Sequence, residues 1–288
     1  MGDLSFAEGL NMLEDGDYSP WVKTIFAGIK FGTWIRAAKL LSPLTNWLME
    51  ERLMKSETVR AKQVEHWKYS TERVDRRLAR EPDRPDLWTR ILEKSRGMEE
   101  GKAGGGRGEG MTLQEHYSNA SVFMIAGTET TATALSGVTY YLLRNPSAME
   151  KLKKEIRTSF SSFADLHLEK LAQQKYLMAV LTEGLRIYPP VPIALPRIVP
   201  AGGAVIGGYF VPKGTAVGVH HYAQYMSEQH FRTPRTFHPE RWLGGEEGRA
   251  FAGDHLDALE PFSVGPRNCL GKSKSFHPRP WEGGEVKC

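Results

Sequence analysis

Phe262-Ser263-Val264-Gly265-Pro266-Arg267-Asn268-Cys269-Leu270-Gly271 carries one of the two cysteines in the chain. Phe262 precedes the sulfur by seven residues, and Gly265, Pro266 and Gly271 shape the backbone around it. A rigid loop of this kind can aim a thiolate and point backbone N–H groups at it. Such donors set the charge on a thiolate bound axially to iron. A lone cysteine in a lone turn reads instead as a small buried thiol. The spaced set F-x-x-G-x-R-x-C-x-G is far rarer than either feature alone.

The same letters invite a second reading, because Gly265 to Ser273 approaches the phosphate loop G-x-x-x-x-G-K-[ST]. Five residues, not four, separate Gly265 from Gly271. A phosphate loop also runs into a helix whose N-terminus receives the anion. Here Pro278, Pro280, Gly283 and Gly284 follow, and they disfavour a helix. Phosphate binding would require Lys272 to contact the ligand.

The 288 residues suffice for one large domain, with 40% hydrophobic and 25% charged residues. The net charge of +4 is mild and its signs are interleaved, so no nucleic-acid partner is indicated. Two cysteines exclude a disulfide framework and a cysteine-rich zinc site. No run of roughly 18 or more apolar residues occurs, so no transmembrane segment is expected. His220, His221, His230 and His238 lie near one another in sequence, but their spacing matches no common metal-ligand pair, and packing or surface roles are favoured.

From the N-terminus, Trp21 to Met49 is apolar and aromatic, with Gly28, Gly32 and Pro43 expected to divide it into short helices. It reads as core helices or as a patch on a membrane surface. Glu51 to Ala79 suits a long solvent-facing helix with paired charges. Asp86 to Lys94 forms a short helix, and Gly97 to Gly110, with seven glycines, a flexible loop. Thr112-Leu113-Gln114-Glu115 is a capping box that opens a helix running to about Arg144. Its centre, Ala126-Gly127-Thr128-Glu129-Thr130-Thr131, is a poor choice for helix stability, and its hydroxyls can loosen a turn. A close helix crossing through small residues is the plain alternative. Asn145 and Pro146 end this helix and cap the next, which runs to Phe160. Leu171 to Tyr188 is a further helix, with Glu183 and Arg186 on one face. Val191 to Ile198 is extended, Val205 to Val211 is a hairpin turning at Gly207-Gly208, and Thr215 to Val219 is a strand. Phe237-His238-Pro239-Glu240-Arg241-Trp242 completes the pattern.

Four motifs in this order resemble the cytochrome P450 family: Ala126 to Thr131, Glu183 to Arg186, Pro239 to Trp242 and the Cys269 loop. The likeness runs from Gly2 to about Ser273. It implies a mainly α fold with small β-sheets, the P450 fold, as one partial catalytic domain over residues 1–273. Residues 274–288 read as an unrelated, disordered tail. The resemblance also implies an incomplete fold, without the family's N-terminal part and without the helix that should follow the cysteine.

By resemblance, the chain is a haem-thiolate monooxygenase that inserts one oxygen atom from O2 into a small lipophilic substrate, with a fungal, secondary-metabolic flavour. Haem b is the implied cofactor, with Cys269 as axial ligand of its iron and Phe262 and Gly271 framing the loop. Arg197 and Arg267 match positions that pair with haem propionates. Gly127 clears space for oxygen, and Glu129 and Thr130 relay protons. Glu183, Arg186 and Arg241 form a structural ion cluster behind the loop. Electrons would come from NADPH through a flavin-containing P450 reductase, at the cytoplasmic face of the endoplasmic reticulum membrane. The alternative is a truncated, catalytically inert relative that holds no haem, since missing layers remove buried area that offsets ordering entropy.

Overall fold

A computed structural model describes residues 41–80, 86–89, 91–93 and 111–272, together with 22, 23, 25, 28, 32, 34, 35, 37 and 38. The segments 2–9, 97–110 and 274–288 lie outside the described residues. The chain divides into two compact units, residues 1–129 and 130–288.

In the first unit, Gly28 and Gly32 are themselves helical, and the residues between them lie outside the described ones. Pro43 starts helix α1 (Pro43–Leu48) at a position where its missing N–H costs nothing. Ser42 and Thr45 close a reciprocal capping box there. A π-helical stretch, Met49–Met54, follows. The long charged helix expected from Glu51 therefore begins later, as α2 (Glu57–Leu78), with Ser56 at its cap. Its solvent-facing character holds only in part, because Ser70, Arg73, Val74 and Arg77 are buried. Arg77 grips Asp86 through Nε at 2.5 Å and Nη2 at 3.0 Å. Asp86 also caps the short helix that follows, accepting from Thr89 N at 2.7 Å. Val22, Ile25, Val74, Trp88, Ala120 and Met124 form the core of this unit.

Helix α3 (Leu113–Arg144) has 32 residues, about 48 Å at ~1.5 Å rise per residue. The capping box stands as expected: Glu115 N donates to Thr112 Oγ1 at 3.3 Å, and Thr112 N to Glu115 Oε2 at 2.7 Å. The Gly127 to Thr131 segment is unbroken α-helix, so the threonines do not loosen a turn.

In the second unit, α4 (Pro146–Ser159) begins at Pro146, but Asn145 does not cap it. The Asn145 side chain turns back and donates to the Tyr141 carbonyl at 2.7 Å, closing the end of α3 instead. A single turn, α5 (Leu168–Leu171), precedes α6 (Lys175–Ile187), which starts later than the apolar pattern suggests. The reason is a cap delivered from outside the helix. Glu155 of α4 accepts from Tyr176 N and Leu177 N, both at 2.8 Å, satisfying two orphan amides of α6. Val138, Leu142, Ala148, Tyr176, Val180, Ile187 and Phe237 form the core. A Cβ added to Gly184 would overlap Val138 Cγ2, and one on Gly137 the Tyr188 ring, so glycines permit the close crossing of α3 and α6.

Strand β1 (Arg197–Ile198) pairs antiparallel with β4 (Ala216–Val217). The extended segment before β1 makes only an isolated bridge, Ala194 to His220. Strands β2 (Ala204–Ile206) and β3 (Tyr209–Val211) form the expected hairpin. Gly207 and Gly208 have φ of 58° and 85°, which the turn requires at both positions. Helix α7 (His221–Tyr225), a 3-10 turn at Pro239–Trp242, helix α8 (Gly245–Gly248) and further 3-10 turns lead to the cysteine loop. Among the described residues no helix is long and apolar enough to cross a membrane.

Replacing Gly184 with alanine should lower the unfolding free energy by about 1–3 kcal/mol, because the added Cβ would lie 2.3 Å from Cγ2 of the buried Val138. Gly253→Ala, where nothing lies within 4 Å, should leave the denaturation midpoint unchanged. Equal midpoints for the two variants would contradict the tight crossing.

Candidate functional site

The cysteine loop is shaped by its backbone. Gly265 has φ 74° and Ser263 φ 58°, both in the left-handed region. Gly265–Arg267 makes one 3-10 turn, with Asn268 N donating to the Gly265 carbonyl at 3.0 Å. The loop is closed by Cys269 N, which donates to the Phe262 carbonyl at 2.7 Å. Cys269 is a free, exposed thiol.

Its side chain lines a cavity of about 200 Å³ in the second unit. Thr130, Thr131 and Leu135 of α3 form part of the wall, with Leu181 and Leu185 of α6. Pro189, Pro190, Val191, Pro261, Phe262 and Gly271 line it from the loops, and His221 adds an imidazole. The structure thus brings together Thr130, Phe262, Cys269 and Gly271. Arg197 and Arg267 are exposed and outside this wall; Arg197 Nη1 rests on the Pro196 carbonyl at 3.1 Å. Gly127 and Glu129 sit on the turn of α3 before Thr130, at the end of the first unit. Among the described residues Glu129 Oε2 and Thr128 Oγ1 are buried without a hydrogen-bond partner. Burial holds the Glu129 carboxyl above its ordinary range.

The donor set suits an iron-bearing planar group: one soft anionic ligand, two hydroxyls and otherwise mainly carbon walls. Cys269 is exposed, so its sulfur is open to a ligand.

Behind the loop, Glu183 is fully buried and accepts from Arg186 Nε at 2.9 Å and Nη2 at 2.7 Å. Arg241 Nε approaches the same carboxylate at 3.4 Å. The three residues grouped from the sequence are thus in contact. Four further partners were not part of that grouping, although His238 and Trp242 belong to the quoted Phe237 to Trp242 stretch. Trp242 Nε1 and His238 N also donate to Glu183, at 2.9 and 3.0 Å. Asp254 pairs with Arg241. Phe231 lies beside both guanidinium groups, 5.3 Å from that of Arg186 and 5.6 Å from that of Arg241. His221, passed over as a packing residue, lines the cavity.

A family model described as Cytochrome P450 matches residues 1–273. The cytochrome P450 monooxygenase efuB of Hormonema carpetanum is 46% identical over 277 residues, covering 96% of this chain and 52% of that protein. The cytochrome P450 monooxygenase FUM2 of Gibberella moniliformis is 40% identical, covering 96% and 55%. The chain therefore spans about half the length of the curated relatives it matches. Among solved structures, a zebrafish cytochrome P450 crystallised with abiraterone superposes with TM-score 0.66 at 24% identity, covering 95% of this chain and 56% of that one. The cytochrome P450 CYP102L1 superposes with TM-score 0.71 at 22% identity, covering 96% and 56%.

Glu183→Gln should cost about 3–5 kcal/mol in a denaturation experiment, because it strands buried guanidinium charge. Arg249→Ala, which breaks an exposed pair with Glu246, should leave the midpoint unchanged. Glu129 gives a pH signature. Its folded pKa is raised, so the native state holds its proton longer than the unfolded chain. Relative to Glu129→Gln, wild-type stability should be level below the ordinary glutamate range and fall as pH rises through the elevated value. A difference that stays constant across that window would refute the burial.

Proposed function

The chain belongs to the cytochrome P450 family, and from that premise we propose that it is a haem-thiolate monooxygenase acting on a small lipophilic substrate. The observation that carries the reading is the Cys269 thiol in the wall of a mainly apolar cavity that Thr130 also lines. Bound haem b would supply oxygen binding and one-electron chemistry that no side chain here offers.

In this reading Cys269 would hold the haem iron through its sulfur, and Phe262 and Gly271 would hold the loop around it. Leucine and proline walls exclude water and favour apolar substrate surface. Gly127 leaves space beside α3. Glu129, whose burial favours the protonated form, delivers a proton, and the Thr130 hydroxyl passes it on. Arg197 and Arg267 are exposed and therefore accessible to haem carboxylates. Glu183, Arg186 and Arg241 brace residues 225–254, from which the chain continues into the loop. Electrons would arrive from NADPH through a flavin-containing reductase, at a membrane surface of the endoplasmic reticulum. The fungal relatives point to a role in secondary metabolism. Residues 1–273 would form one partial catalytic domain.

Protein reconstituted with haem, reduced and placed under carbon monoxide should show the Soret shift diagnostic of thiolate ligation. Cys269→Ala should abolish that shift. No shift in the wild-type protein would favour the rival reading, a relative that holds no haem.

A further inference from the structure

Apart from Cys269, His221 is the single side chain of the cavity wall that can take a charge. It is only 7% exposed. Its Nδ1 lies 3.1 Å from the Val191 carbonyl, which can only accept, so Nδ1 carries a proton. The ring stacks on Tyr225 with an interplanar angle of 12° and centroids 5.5 Å apart. Tyr225 is itself fixed, since Glu260 N donates to its hydroxyl at 3.2 Å and Arg186 Nη1 to its carbonyl at 3.0 Å. The imidazole is therefore held on both sides. Its Nε2 makes no hydrogen bond among the described residues. The residue is nearly buried, yet this nitrogen is not among the sealed, unpartnered atoms, so it stays accessible where His221 lines the cavity and can take a hydrogen bond from what enters. Among the described residues no lysine or arginine lines the cavity, so besides the Thr130 and Thr131 hydroxyls and the Cys269 thiol this nitrogen is the polar side-chain group that an entering acid can meet.

We propose that His221 Nε2 is the hydrogen-bond anchor for a carboxyl group of the molecule that fills this cavity. The pair shares one proton, as imidazole with carboxylic acid or imidazolium with carboxylate, and Nδ1 keeps its bond to Val191 in both forms. Two sources offer that chemistry: the carboxylates of haem, in which case the proposal rests on the haem reading, or an acidic lipophilic substrate.

Isothermal titration of the wild-type protein, His221→Phe and His221→Gln separates them. The probes are hemin against hemin dimethyl ester, and lauric acid against methyl laurate. The wild type should prefer the acid of at least one pair by about tenfold. His221→Phe should abolish most of that preference, and His221→Gln, which keeps a hydrogen-bonding group, should retain part of it. A lost preference for hemin assigns the anchor to the prosthetic group, and one for laurate assigns it to the substrate. Preferences unchanged in both pairs overturn the proposal. If wild-type protein binds neither hemin form, the haem reading fails by itself and the laurate pair still decides the anchor. Thermal melts check that His221→Phe folds. Should it not fold, carbethoxylation of His221 in the wild type, read by peptide mass, replaces it. The acids should protect His221 and the esters should not; equal protection overturns the proposal.

Discussion

A single buried carboxylate organises the second unit. Glu183 has no solvent exposure, and an ionised group there persists only with dense pairing. It accepts from both nitrogens on one edge of Arg186, from the Trp242 indole and from the His238 amide, with Arg241 close by. The arginines then reach outward. Arg186 donates to the carbonyls of Tyr225, Pro234 and Thr236. Arg241 donates to the Arg232 carbonyl and pairs with Asp254. Two guanidinium groups thus meet two carboxylates, and the chain between Tyr225 and Asp254, which holds only short helical turns, is tied to α6 by side chains.

That tie continues toward the thiol. Tyr225, held by Arg186 through its carbonyl, accepts from Glu260 N through its hydroxyl. Glu260 lies just before the segment that leads into Phe262 and Cys269. The same tyrosine supports the ring of His221. One network therefore fixes the entry to the cysteine loop and a polar group of the cavity wall. The cavity needs such support because its other walls are mainly apolar side chains and prolines, which pack without directing one another.

Much of this was legible in the residues. The capping box at Thr112, the helix start at Pro146, the hairpin at Gly207-Gly208 and the Glu183–Arg186 pair involve neighbours three or four positions apart or a single turn. Local geometry settles such features. Other expectations moved. The helix read from Glu51 starts at Glu57, because Ser56 offers a cap and the stretch before it is π-helical. Asn145 looked like the cap of α4 but serves the end of α3, since its side chain reaches the Tyr141 carbonyl. A capping residue between two helices has two orphan sets of groups to choose from, and its type does not say which.

By itself the sequence determined the family pattern, the thiol in its Gly/Pro loop and the order of helices, since those are properties of residue type and short spacing. Only the tertiary structure decided which distant groups share a charge or a proton. Glu155 caps α6 across 21 positions, His221 holds Val191 across 30, and Trp242 finds Glu183 across 59. Contacts of that span depend on how the chain is packed, because burial makes each polar group find a partner wherever the fold brings one near.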